Sequence, residues 1–137
     1  MSFGDVKNFY EEDGKGAERY IVWLKEKILI DPLSVVHVWQ KNEIIGQIEL
    51  RSYLKNSNCG YVNLYYLIPS KRGTGIGKFL DQFMMDYYKK AEIHRVQLSV
   101  SPTNIQAFSY YKKMGWIDIG PREGHPEVHL MEKIICP

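Results

Sequence analysis

The stretch LYYLIPSKRGTGIGKFLDQFMMDYY, residues 64–88, decides how the rest of the chain is read. An apolar run ends at Pro69 and passes through a basic, glycine-rich loop. From Gly75 onward Ile76, Phe79, Leu80, Phe83, Met84, Tyr87 and Ala91 recur at helical spacing, which predicts an amphipathic helix. Glycines between a strand and a helix remove Cβ atoms and permit positive φ, so successive N–H groups can converge on one point. The unbonded N–H groups of the helix's first turn aim at the same place, with the positive end of the dipole behind them. Lys71, Arg72 and Lys78 add formal charge. Donors spread along Arg72-Gly73-Thr74-Gly75-Ile76-Gly77 suit a pyrophosphate better than a single phosphate. An ordinary strand-to-helix turn, with glycines for packing, is the other reading of the loop alone.

Two familiar phosphate motifs are excluded. A Walker A loop needs glycine five residues before the Gly-Lys pair and Ser or Thr after it; here Arg72 and Phe79 stand at those places. A G-x-G-x-x-G fingerprint fails from Gly73, where Lys78 ends it, and from Gly75, where Leu80 does.

Upstream, GAERYIVWLKEKILI sets Tyr20, Ile21, Leu24 and Ile28 at helical spacing, predicting a helix over about 15–30 that Asp31-Pro32 stops. SVVHVWQ and EIIGQIELRSYL read as a hairpin around KNE, NSNCG as the next turn, and YVNLYYLI as a third strand. Downstream, RVQLSV is a strand, and TNIQAFSYYKKMG is a short helix with a Thr/Asn cap and a terminal glycine. WIDIG and EVHLMEKII form a closing hairpin around PREGHP. Helix, three strands, helix, strand, helix and two strands predict a mixed α/β sheet with helices on both faces.

The 137 residues, 45% hydrophobic and 25% charged, read as one domain over 1–137 without repeats or linkers. No apolar run is long enough to span a bilayer, and MSFGDVKNFYEEDGKG lacks the apolar centre of a secretion signal. A net charge of +2 argues against nucleic-acid and membrane partners. Cys59 and Cys136 are isolated thiols without metal-like spacing, so no metal and a cytoplasmic location are expected.

Arg72-x-x-Gly75-x-Gly77, after a strand ending at Pro69 and before an amphipathic helix, resembles the acetyl-coenzyme A loop of the GNAT superfamily of N-acetyltransferases. Asn104-x-x-Ala107-x-x-x-Tyr111-x-x-x-Gly115-Trp116 resembles a second motif of that family, with Trp for the usual Phe. The resemblance spans about 43–135. Family members usually begin with a strand and two helices, so the N-terminal elements here are abbreviated or atypical.

The resemblance implies that the strands YVNLYYLI and RVQLSV run parallel and then splay. Backbone groups of Tyr65, Tyr66 and Leu67 would then hold the pantetheine arm of acetyl-CoA. The pyrophosphate would rest on Arg72, Gly73, Thr74, Gly75, Ile76, Gly77 and Lys78, and Asn104 would bond the cofactor arm. Amide formation from a thioester needs a neutral amine, a stabilised carbonyl oxygen and a proton for the leaving thiolate. The resemblance assigns that last proton to Tyr111, with Tyr110 as rival and a core aromatic as the alternative. Leu67 N–H is the expected oxyanion donor. Some relatives carry a glutamate on the strand before the loop, where this chain offers only Asn63 and tyrosines, and others carry one five residues before the motif asparagine, where this chain has Ser99. Glu49 through water, His129, and a water chain alone remain open, although Glu49 also reads as an exposed strand carboxylate.

Glu11, Glu12, Asp13, Glu123 and Glu127 favour a cationic amine, small-molecule or peptidic, if they line the cleft; Trp39, Tyr53 and Tyr65 are aromatic wall or core. The expected activity is acetyl transfer to a primary amine. A non-catalytic acyl-CoA sensor or complex subunit is the alternative, and an exposed closing hairpin is compatible with a homodimer.

Overall fold

In the computed structural model, the described residues are 16–53 and 56–135, with side chains for all of these except 16, 52, 53, 56 and 57. Helix α1 (Gly16–Ile30) and a 3-10 turn (Pro32–Ser34) lead into strands β1 (Val35–Gln40), β2 (Glu43–Tyr53) and β3 (Asn56–Leu67). A second 3-10 turn (Pro69–Lys71) and the glycine loop precede helix α2 (Gly77–Lys90). Strand β4 (Arg95–Val100), helix α3 (Ile105–Lys113) and strands β5 (Ile117–Arg122) and β6 (His125–Ile134) are the remaining elements among the described residues. The six strands form one mixed sheet in the order β1-β2-β3-β4-β6-β5. Among the described residues no helix is long and apolar enough to cross a membrane.

Strand β3 carries the decisive irregularity. Glu49 of β2 pairs with Leu64, but the next residue, Leu50, pairs with Val62, so Asn63 is an extra residue in the ladder. Side chains alternate along a strand, and one inserted residue reverses the alternation. Gly60 and Tyr65 therefore share a face. That face packs α2 and α3: the Tyr88 ring lies against Gly60, and Tyr65 meets the ring of Tyr111. The opposite face carries Glu49 and Tyr61, and α1 covers it, with Tyr20 donating a hydrogen bond to Glu49.

The parallel β3–β4 ladder is only three pairs long, Cys59 with Arg95, Gly60 with Val96 and Tyr61 with Gln97. Beyond it β4 continues along β6 to Val100 while β3 continues along β2 to Leu67. The expected splay is thus present, with two strands leaving a wedge between them.

Three local expectations are corrected. Asn56–Gly60, read as a turn, belongs to β3, and a Cβ on Gly60 would collide with the Tyr88 ring. That glycine serves packing, and ladder bonds to β2 and β4 override its turn propensity. The loop PREGHP shrinks to Glu123-Gly124, because both flanking prolines enter strands; Pro121 is tolerated on the edge strand β5. Helix α2 starts at Gly77, and its buried face is Leu80, Asp81, Met84 and Tyr88, while Phe79 is 75% exposed.

Asp81 is a buried charge in that face. Its carboxylate accepts from Lys133 Nζ at 2.6 Å and from Trp116 Nε1 at 3.4 Å, and Lys133 also donates to the Met114 carbonyl at 2.9 Å. This ties α2 to β6 and to the end of α3. Truncating one partner of a buried pair strands the other charge, at about 3 kcal/mol. Asp81→Ala is accordingly expected to lower the unfolding free energy by about that amount, read from urea denaturation; a loss below about 1 kcal/mol, the range of a surface pair, would contradict it.

Candidate active site

The loop between β3 and α2 opens a cleft lined by Leu67, Arg72, Gly73, Gly75, Gly77 and Lys78, with α3 as its other wall. Gly73 and Gly75 hold φ of 74° and 90°, a region that side chains with a Cβ rarely adopt. Among the described residues no backbone carbonyl accepts from the amides of residues 73–76. No side chain caps the start of α2, and its first turn holds no acidic residue. Lys78 and Phe79 N–H bond back to the Gly75 and Ile76 carbonyls, so the amides left without a backbone acceptor are those of the loop itself, which borders the cleft through Gly73, Gly75, Gly77 and the cationic Lys78.

Other loop residues have internal duties. Arg72 donates through Nε to the Leu67 carbonyl at 2.8 Å, with its guanidinium 5.5 Å from the centre of the Tyr66 ring, so it anchors the loop to the end of β3. Thr74 Oγ1 donates to the Lys71 carbonyl at 2.6 Å. Ile76 packs against the core. Gly77 has to be small because Tyr110 lies where its Cβ would be.

The register of β3 tells which backbone groups face the wedge. Ile68 N–H donates to the Ile45 carbonyl at 2.8 Å, and bonded and non-bonded pairs alternate along an antiparallel ladder. Tyr66 opposite Gln47 is then a bonded pair, whereas Leu67 opposite Gly46 and Tyr65 opposite Ile48 turn their N–H and C=O away from β2. The Arg72 bond to the Leu67 carbonyl agrees with this direction. Tyr66, expected to offer its backbone, spends it on β2.

The α3 wall is built by Gln106, Ala107, Tyr110, Lys113 and Met114. These fall at i, i+1, i+4, i+7 and i+8, one face of a helix, a spacing readable in the sequence but missed apart from Tyr110. Asn104 caps α3, its Oδ1 accepting from Ala107 N–H at 3.3 Å. Tyr111 is fully buried and stacked among Tyr65, Tyr110 and Trp116, with ring centres 5.7–6.5 Å apart. The hydroxyls of Tyr65 and Tyr110 are buried and, among the described residues, have no hydrogen-bond partner. Burial, and then the charge of Asp81, pushes both phenols up, Tyr110 to about 12. They remain protonated donors at neutral pH. The Tyr110 phenol beside the cleft and the loop amides without a backbone acceptor fit a ligand with a diphosphate and a polar arm.

Glu49 differs from its expected alternative as an exposed carboxylate: it is fully buried. It accepts from Tyr20, from Gln47 Nε2 at 2.6 Å and from Asn63 Nδ2 at 2.9 Å, which pins the bulge of β3. His129 sits on β6 with Nδ1 2.9 Å from Asp118, its ring edge-on to Phe108 of α3. Ser99 is buried on β4, 2.7 Å from Tyr61 Oη. Trp39 is exposed on β1 and Tyr65 is core. Glu123 and Glu127 are exposed on the β5–β6 hairpin, Glu127 3.6 Å from His125. Glu11, Glu12 and Asp13 and the side chain of Tyr53 lie outside the described residues.

Comparison with solved structures gives the same architecture at low identity. Ard1 from Thermoplasma volcanium superposes with a TM-score of 0.72 at 18% identity, covering 100% of this chain and 95% of that one. A ribosomal-protein-S5-alanine acetyltransferase from Vibrio fischeri gives 0.64 at 23%, covering 89% and 72%. N-acetylglutamate synthase from Neisseria gonorrhoeae, solved with coenzyme A and N-acetyl-glutamate, gives 0.65 at 14%, covering 82% of this chain and 28% of that one. A search of curated proteins returns no significant match. The profile of the acetyltransferase (GNAT) family matches residues 4–116, most of the chain. With the splayed sheet, the glycine loop and the capped helix α3 all in place, the chain belongs to the GNAT acetyltransferase family.

Proposed function

We propose that the protein transfers an acetyl group from acetyl-CoA to a primary amine of a small molecule or peptide, by direct attack while both substrates are bound. The observation that carries this reading is the wedge beyond Tyr61 and Gln97, which opens beside a loop of unbonded amides. The diphosphate rests on residues 73–76 and Lys78, and the arm runs along the outward backbone of Tyr65 and Leu67. Asn104 holds α3 against it. The amine nitrogen bonds to the thioester carbon, whose oxygen takes up negative charge and is stabilised by Leu67 N–H. A donor of this kind is worth about 3–4 kcal/mol. The carbonyl then re-forms as the C–S bond breaks; sulfur keeps the electron pair and takes a proton from Tyr111 Oη, and the second proton shed by the nitrogen passes through water to restore the phenol.

The ammonium form of the acceptor must lose a proton first. Three donors occupy most of the roughly four acceptor sites of Glu49. We therefore assign that proton to water and treat Glu49 as the group that positions Asn63 and the bulge, in place of the catalytic role expected from sequence. A non-catalytic acyl-CoA sensor is the second reading, favoured by this commitment of Glu49. Calorimetry with acetyl-CoA, followed by thiol release across an amine panel, separates the two. Micromolar binding with turnover is expected; binding without turnover on every amine would establish the sensor, and absence of binding would remove both.

A further inference from the structure

The sheet face opposite α2 and α3 holds a cationic cluster that lies outside the cleft of the glycine loop. Tyr61 closes the β3–β4 ladder and points to this face, because its neighbour Gly60 faces Tyr88. Its hydroxyl lies 2.7 Å from Ser99 Oγ, two residues beyond the last β4 pair, so the two side chains bridge the root of the wedge. Arg122, at the end of β5, donates through Nη1 to Ser99 Oγ at 3.2 Å and to Tyr61 Oη at 3.4 Å. Arg51, opposite Tyr61 on β2, holds its guanidinium 4.7 Å from the centre of the same ring, and that of Arg122 is 5.8 Å away.

Two guanidinium groups thus share one phenol, and among the described residues neither has a carboxylate within 4 Å. Arg51 Nε is buried with no hydrogen-bond partner among the described residues. Ser99 adds no negative charge, and Glu49 on the same face is taken by its three donors. Lys27 of α1 adds a third positive charge close enough for Arg51 to disfavour its ammonium form, after burial and against the pull of Asp31. Neighbouring like charges and an unmet buried N–H both cost free energy, which a bound anion recovers. The guanidinium fork matches the two oxygens of a carboxylate.

We propose that the acceptor is an amine bearing a carboxylate a few bonds from the reacting nitrogen, an amino acid or related zwitterion, and that Arg51 and Arg122 receive that carboxylate. This deepens the acetyl-transfer reading and rests on it. The cleft of the glycine loop is walled by α3, whereas Arg51 and Arg122 stand on the other face of the sheet, the face that the acetyl-transfer reading leaves to an acceptor. The inference replaces the cationic acceptor expected from the acidic residues of the sequence.

The test pairs each of the twenty amino acids with its own α-carboxamide, at saturating acetyl-CoA, with thiol release as readout. At least one acid is expected to be acetylated with kcat/KM tenfold or more above its amide. Arg122→Lys and Arg51→Lys keep the charge and lose the fork; either is expected to shrink the acid-to-amide ratio at least tenfold, through KM more than kcat. Unchanged calorimetric affinity for acetyl-CoA certifies that each variant is folded. Amides matching or exceeding acids, no turnover of any acid, or a ratio untouched in both variants would overturn this inference while acetyl-CoA binding persists. Loss of acetyl-CoA binding by the unaltered protein would instead fell the reading beneath it.

Discussion

Gly75→Val is expected to weaken acetyl-CoA binding by well over tenfold, with secondary structure retained. No protein atom would collide with the added Cβ, because the position it would occupy is open space in the folded protein. The cause is the backbone. Gly75 holds φ of 90°, and valine, branched at Cβ, is strained there. Relaxing the strain rotates the peptide groups on either side and turns the amides of Gly75 and Ile76 away from their common point. Each lost hydrogen bond to a charged group is worth about 1.5–3 kcal/mol, so losing even one approaches or exceeds tenfold. Titration calorimetry with circular dichroism as the folding control decides it. Affinity within threefold of the unaltered protein would show that these amides do not hold the diphosphate.

Tyr111→Phe is expected to lower turnover on the order of 100-fold, the low end for general-acid catalysis, and to leave acetyl-CoA affinity within twofold. Phenylalanine keeps the ring contacts with Tyr65, Tyr110 and Trp116, so the core stays filled. Only the hydroxyl is removed, and with it the proton for the departing thiolate. If turnover falls for Tyr110→Phe instead, the acid is the neighbouring phenol, a residue that lines the cleft. Parallel losses of turnover and affinity in Tyr111→Phe would make the residue structural.

Much of this site was legible before any coordinates. Helical spacing in residues 76–91 announced α2, and the glycines ahead of it announced a loop with positive φ, because both signals are local to the chain. RVQLSV matched β4 residue for residue. Asn104 was legible as a cap, which is what its side chain does. Gly60 was misread because a glycine reports only that a Cβ is unwelcome, and here the Tyr88 ring, distant in sequence, is what forbids it. The alternative reading of Glu49 as an exposed carboxylate fails because burial of a carboxylate depends on partners brought from α1 and β3. Arg51 and Arg122 drew no notice at all: 71 positions separate them, and no periodicity joins two residues that meet on one ring.

Sequence alone determined the order of elements, the glycine loop ahead of α2 and the identity of the helix that carries the tyrosines, since each depends on propensities and spacings within about a dozen residues. Tertiary structure alone decided the bulge at Asn63, the three-pair limit of the β3–β4 ladder and the meeting of Arg51, Arg122 and Tyr61. The reason is that strand register is settled by pairing across the sheet. One inserted residue sends every later side chain to the opposite face, and no local pattern records which partner strand forces the insertion.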